Sequence, residues 1–262
     1  MIRILSVLIL AILSIPAFSQ ETTIGDAKST ASAGSNDIVI IPFGPNLYIS
    51  DIDFQIEQSQ GLTNSEIKAK FRAGLDQSVY LALKPKLNPF SYYTIDENES
   101  RTELSKIYNS IGYNYELIPQ ENKEEEKKFI NKFKKDETKR EYTKASISNG
   151  EVVSEVDNRE KYMKTVLSDK SLIDELNTTR KAKYYLFINQ LDIRRGTENQ
   201  YAASHQKTER KISVHYTIFD NQQKEISSGL VSTILPSSEN DINTIIKTYF
   251  TQVSEKLIQK IP

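Results

Sequence analysis

Tyr184-Tyr185-Leu186-Phe187-Ile188-Asn189-Gln190-Leu191-Asp192-Ile193 is the strongest strand signal in this 262-residue chain. Aromatic and β-branched residues dominate it, and they fit a pleated, packed surface. Downstream, Ile212, Val214, Tyr216 and Ile218 alternate with Ser213, His215 and Thr217, which predicts a second strand with one wet face. Asp220-Asn221-Gln222-Gln223 is turn chemistry, and 226–235 returns as the hairpin partner. Ser238 with Asp241 then opens a final helix. Its apolar face (Ile242, Ile245, Ile246, Tyr249, Phe250, Val253, Leu257, Ile261) predicts packing on the chain's own sheet.

Upstream, Asp169 is placed to cap a helix carrying Leu172, Ile173 and Leu176. Further back, Ile38-Val39-Ile40-Ile41-Pro42-Phe43 is an apolar run suited to a strand buried on both faces. Thr63 and Glu66 form a capping box before Ile67, Phe71, Leu75 and Val79, and Pro85 ends that helix. Tyr92-Tyr93-Thr94-Ile95 is expected as a strand. Leu104, Ile107, Tyr108 and Ile111 mark a helix with Gly112 as its left-handed cap, and 113–118 a further short strand. The order predicts an α/β (α+β) fold, a mixed sheet flanked by helices.

Between Glu121 and Glu141 fifteen of twenty-one residues are charged, eight basic and seven acidic. Only Phe129, Ile130 and Phe133 could face a core, so a solvated helix with pairs such as Glu124–Lys128 is expected. Residues 142–166 are polar and weakly patterned, with a turn at Asn149-Gly150. The whole of 119–166 therefore reads as a charged insertion in a single domain spanning 37–262.

Met1-Ile2-Arg3, the apolar run from Ile4 to Leu13, and Ala17-Phe18-Ser19 have the three-part layout of a cleavable export signal. The cut is expected between Ser19 and Gln20, with a flexible leader over 20–36 and a periplasmic or secreted product. No later stretch is long and apolar enough for a spanning helix, and 142–166 and 194–210 are too polar for membrane-barrel strands. With no cysteine, disulfides, thiol catalysis and lipid anchoring through cysteine are excluded. The formal charge of −1 gives no electrostatic argument for nucleic acid. Tyr is abundant at 14 while Trp is absent, and nine glycines leave little for phosphate-cradling loops.

The first strand ending in Pro42-Phe43, the strand Ala182-Lys183-Tyr184-Tyr185-Leu186, the hairpin with Ile218-Phe219-Asp220-Asn221 and Gly229, and the long last helix together carry a likeness. They resemble the bacterial envelope group that includes the curli secretion protein, the outer-membrane activators of penicillin-binding proteins and the N-terminal domain of TolB. The likeness covers about 37–118 and 169–261. It implies an α/β envelope domain that binds proteins and carries no catalytic residues. The lipid-bearing cysteine of many members is missing, and the charged insertion lies outside their common core.

Chemistry-bearing groupings are sparse. His205 falls in a polar loop and His215 on a strand's polar face, with no third ligand at metal spacing. No Gly-x-Ser-x-Gly elbow singles out a serine. Asp51 with Asp53, and Asp96-Glu97-Asn98-Glu99, are the closest to a site, yet neither run has the glycine of a calcium loop. No catalytic, metal or cofactor residue is assigned. Asn98 and Asn177 open Asn-x-Ser/Thr triplets that matter only in a glycosylating host. The expected function is an exported non-catalytic binding or assembly protein of the bacterial cell envelope, partnered by another envelope protein and open to homo-oligomerisation. The alternative is an exported hydrolase with an acidic active site built from the acids at 51, 53 and 96–99.

Overall fold

Alternate residues of the first strand enter opposite cores. Ile38 and Ile40 join one apolar cluster, Val39 and Ile41 the other, and all four are at most 1% exposed. This strand, β1 (Asn36–Ile41), is buried on both faces, as its continuous β-branched run requires. The computed structural model describes residues 36–118, 147–148, 151–152, 160–195 and 209–262.

The elements that follow are β2 (Tyr48–Ser50), α1 (Asp53–Gln60), α2 (Asn64–Leu83), β3 (Pro89–Ser91), α3 (Glu97–Asn109) and β4 (Ile111–Leu117). After them come the short strands β5 (Ile147–Ser148) and β6 (Glu151–Val152), then β7 (Lys161–Leu167), α4 (Leu172–Arg180), β8 (Ala182–Arg195), β9 (Arg210–Asp220) and β10 (Glu225–Leu235). The last helix, α5, runs as an α-turn (Ile242–Thr244), a π-helical stretch (Ile245–Phe250) and an α-helical end (Thr251–Ile258). Among the described residues no helix is long and apolar enough to cross a membrane.

The main sheet has the order β10-β9-β8-β1-β3, and β2 pairs with the far end of β8. β1 is parallel to both β3 and β8, while β8, β9 and β10 are antiparallel. The sheet is therefore mixed, and helices cover both faces. On one face α2 and α5 pack over Ile38, Ile40, Leu186, Ile188, Val214 and Ile218. On the other, α3 and α4 pack over Val39, Ile41, Tyr185, Phe187 and Phe219.

Several local expectations match. The Thr63 side chain accepts from Glu66 N–H while the Glu66 carboxylate accepts from Thr63 N–H at 2.8 Å. β8 is the longest strand described, β9 and β10 form the expected hairpin, and α5 packs on its own sheet. β5 and β6 pair on either side of positions 149–150, where a turn was expected.

Others are corrected. Tyr92–Thr94 is a 3₁₀ turn, and the strand lies just before it, because the Ser91 hydroxyl accepts from Tyr93 N–H and bends the chain. Gly112 is not a helix cap. Ser110 closes α3, and Gly112 sits within β4 opposite Val166. Asp241 alone caps α5, accepting from Thr244 N–H at 2.7 Å, while Asp169 shapes the turn before α4 and Ser171 holds the cap position.

The largest correction concerns the insertion. Residues 161–166 belong to the scaffold, since β7 pairs along its whole length with β4, from Leu117↔Lys161 to Ile111↔Leu167. Tyr162, Met163 and Thr165 are buried. The charged segment 121–141 and His205 lie outside the described residues.

The β4–β7 ribbon also explains why β9 has no wet face. β7 stands over β9: Met163 N–H donates to His215 Nδ1 at 2.8 Å, and Thr165 N–H donates to Thr217 Oγ1 at 3.0 Å. A β-bulge between Ile188 and Gln190 leaves Asn189 out of the backbone register with β9. Its amide bridges ribbon and sheet, donating to Met163 O on β7 at 2.7 Å and to Thr217 Oγ1 on β9 at 2.9 Å. Its oxygen accepts from Thr165 Oγ1 at 2.6 Å. The free edge of β7 is thus satisfied by side chains of the sheet beneath it, in place of another strand.

Candidate functional site

β1 is the point where the chain changes direction across the sheet. From β1 the path through α2 leads to β3 on one side, and from β3 the path through α3 and α4 leads back past β1 to β8 on the other. The two connections lie on opposite faces, one leaving β1 and the other leaving its parallel neighbour β3, so they part between the carboxyl ends of β1 and β3. In open α/β sheets this is where ligands and partners are met. Here the end of β1 is followed by Pro42-Phe43-Gly44-Pro45.

Arg72, one turn into the buried length of α2, organises this end. Its Nε donates to Phe43 O at 2.7 Å, Nη2 to the Tyr108 hydroxyl at 2.7 Å and Nη1 to the Tyr93 hydroxyl at 3.2 Å. The Tyr108 hydroxyl in turn donates to Pro42 O at 2.6 Å. The guanidinium also lies 5.8 Å from the centre of the Tyr93 ring, within cation–π range. One helical turn on, Asp76 is 1% exposed. Its Oδ2 accepts from the Ser91 hydroxyl, and its Oδ1 has no partner. Burial pushes the Asp76 carboxyl up to about 7, against the pull of Ser91 and Arg72.

The ribbon supplies the other wall. The Tyr115 hydroxyl donates to Gln190 Oε1 at 2.9 Å, and Gln190 Nε2 donates to Asp192 Oδ1 at 2.5 Å. Asp192 Oδ2 lies 3.5 Å from His215 Nε2. Since His215 Nδ1 accepts from a main-chain N–H, its proton is assigned to Nε2, the side facing Asp192. Tyr113, between Tyr108 and Tyr115, is half-buried, and burial followed by the nearby Tyr108 hydroxyl raises its hydroxyl to about 12.

Tyr93 and Tyr115 remain 45% and 56% exposed. The site is therefore a tract of four tyrosines and an arginine, with the hydroxyls of Tyr93, Tyr108 and Tyr115 hydrogen-bonded and the rings of Tyr93 and Tyr115 open outward. Tyrosine gives large amphipathic area for little lost rotamer freedom, and with arginine it is enriched where proteins meet proteins. No hydroxyl here is paired with a free base, so the tract offers contact area and hydrogen bonds.

The residues singled out from sequence are not brought together. His215 is buried against the ribbon instead of lying on a wet face. Asp51 sits at the carboxyl end of β8, 3.4 Å from Arg194, and Asp53 accepts from Tyr48 at 2.5 Å and Asn64 at 3.0 Å. Asp96 caps α3, Glu97 pairs with Arg101, and Glu99 pairs with Arg180 just before β8 begins. The length of β8, roughly 43 Å at about 3.3 Å per residue, separates the two acidic groups. The carboxylates required by an acidic hydrolase site thus stand at opposite ends of a strand. Among the described residues no cluster of three His, Asp or Glu could hold a metal ion. A groove of about 330 Å³ between α3 and α4 has its charged groups already engaged, Lys106 with Glu175 and Glu103 with Arg180.

Arg72, Tyr93, Tyr108, Tyr113 and Tyr115 were not picked out from sequence. The available signal was the excess of tyrosine over tryptophan, combined with the rule that sites form beyond the carboxyl ends of parallel strands at a topological switch point. No family model, no curated protein and no solved structure matches this chain.

Proposed function

We propose that this chain is an exported, non-catalytic binding or assembly protein of the bacterial cell envelope, acting through protein contacts in the periplasm or outside the cell. The observation that carries the reading is the Tyr93–Arg72–Tyr108 cluster, with Tyr93 and Tyr115 left open beside it. Rings held at one edge by hydrogen bonds are pre-ordered, which lowers the entropy lost when a partner covers them. The export layout of residues 1–19 and the strand and helix phrases shared with the curli secretion and penicillin-binding-protein activator group support the same reading. Membership of that group is part of the proposal.

The test is capture of partners from crosslinked envelopes with the chain from Gln20 to Pro262 as bait. A Tyr93→Ala/Tyr115→Ala variant serves beside it. Both side chains are exposed, so the variant should fold as the parent does. A protein captured by the parent and lost by the variant supports the reading. Equal capture by both, or no reproducible partner, counts against it.

A further inference from the structure

Among the described residues the ribbon's outer edge is unpaired. Met163 and Thr165 point their N–H groups away from β4, toward His215 and Thr217. Antiparallel geometry then fixes the other strand: opposite residues share the same sense, so Tyr113 and Tyr115, which face Thr165 and Met163, point their main-chain groups away from β7. Ile111 and Leu117 have the same parity, and the bond from Ile118 N–H to Glu160 O at 3.3 Å has the opposite one, as it must. Among the described residues no other strand pairs with β4.

The strand on that edge is Ile111-Gly112-Tyr113-Asn114-Tyr115-Glu116-Leu117, and it is complementary to itself. A second copy placed antiparallel, with a two-fold axis at Asn114, pairs all seven residues. Tyr113 then falls opposite Tyr115 of the second copy, and Ile111 opposite Leu117. Glu116, the strand's one charge, falls opposite Gly112, so no like charges meet. An axis at Glu116 would oppose two carboxylates. The outward-pointing residues also coincide: 113 with 115 and 111 with 117 are both hydrogen-bonding pairs in this register. Tyr115 and Leu117 are 56% and 40% exposed, and Asn114 is exposed.

We propose that β4 is a self-association edge, where two copies of this chain join their ribbons into one four-stranded sheet about a two-fold axis at Asn114. A closed, isologous contact of this kind uses the same residues from both copies. Seven residues of strand bury less than the roughly 1,200 Å² of a stable dimer, so association is weak and concentration-dependent. The edge shares Tyr115 with the tract proposed above to meet an envelope partner, but it is argued from the strand geometry of β4 and tested at Asn114, outside that tract.

Asn114 gives a test specific to the axis. Sedimentation of the chain from Gln20 to Pro262 should show an average mass rising toward twice that of the monomer with concentration. Asn114→Lys, which sets like charges against each other only in the dimer, should stay monomeric with an unchanged circular dichroism spectrum. The chain has no cysteine, so Asn114→Cys should form a disulfide-linked dimer under mild oxidation, and Ile226→Cys on the edge of β10 should not. A parent that is monomeric throughout, a dimer indifferent to Asn114→Lys, or equal crosslinking at 114 and 226 would each overturn the proposal.

Discussion

The main-chain N–H of Met163 donates to Nδ1 of His215 across 2.8 Å, in a site where His215 is 4% exposed. With Thr165 N–H on Thr217 Oγ1, this bond seats the main chain of β7 on side chains of β9. It holds the ribbon that forms one wall of the tyrosine tract.

The seam should be sensitive to small changes. Thr217→Val keeps the shape and strand preference but removes the acceptor of both Thr165 N–H and Asn189 Nδ2. Leaving buried donors unpaired should cost about 2–3 kcal/mol, measured by urea unfolding. Hydrogen exchange at Met163 and Thr165 should accelerate well before exchange in β1, since the ribbon loosens first.

Stability should depend on pH through Asp76. Its carboxyl is raised to about 7 in the folded chain from an ordinary 3.8, so the folded state holds its proton where the unfolded state has lost it. The contribution is fully present below about 4 and is lost as pH rises to about 7. Its size is at most about 4 kcal/mol from that shift. Asp76→Asn should flatten this slope in unfolding curves taken from acid to alkaline pH. An unchanged slope would remove Asp76 as its source.

Gly74 is required by packing. A Cβ at that position would meet Ile246 Cδ1 at 2.7 Å, where the π-helical part of α5 crosses α2. Gly74→Ala should therefore destabilise by about 1–3 kcal/mol of overpacking, despite the better helix propensity of alanine. Combined with Ile246→Ala it should cost less than the two single changes added together, a coupling that thermal unfolding of the four variants would measure.

Excision separates insertion from scaffold. Replacing 119–159 by Asn-Gly joins Ile118 to Glu160, already bonded at 3.3 Å, with the turn that suits a two-residue hairpin. That variant should keep a melting temperature close to the parent's. Removing 119–166 takes out β7 as well and exposes Asn189, His215 and Thr217, so it should unfold or aggregate.

What the sequence determined by itself was everything carried by local pattern. The β-branched run of β1, the Thr63–Glu66 box, the aromatic run of β8, the turn at Asp220 and the stripe of α5 each state their structure within one element's length. The mixed sheet between helices follows from their order. Only the tertiary structure decided the fate of polar residues. Ser213, His215 and Thr217 alternate as a solvent-facing strand does, yet all three are buried. The partners of His215 and Thr217 lie on β7, 52 positions away in each case, and nothing local in 161–167 announces the pairing. The tyrosine tract is hidden for the same reason. Arg72, Tyr93 and Tyr108 come from three separate elements and meet only because the crossovers leaving β1 and β3 part between those strands' ends. Apolar periodicity reports which face is buried, whereas a polar side chain's place depends on a hydrogen-bond partner that folding brings to it.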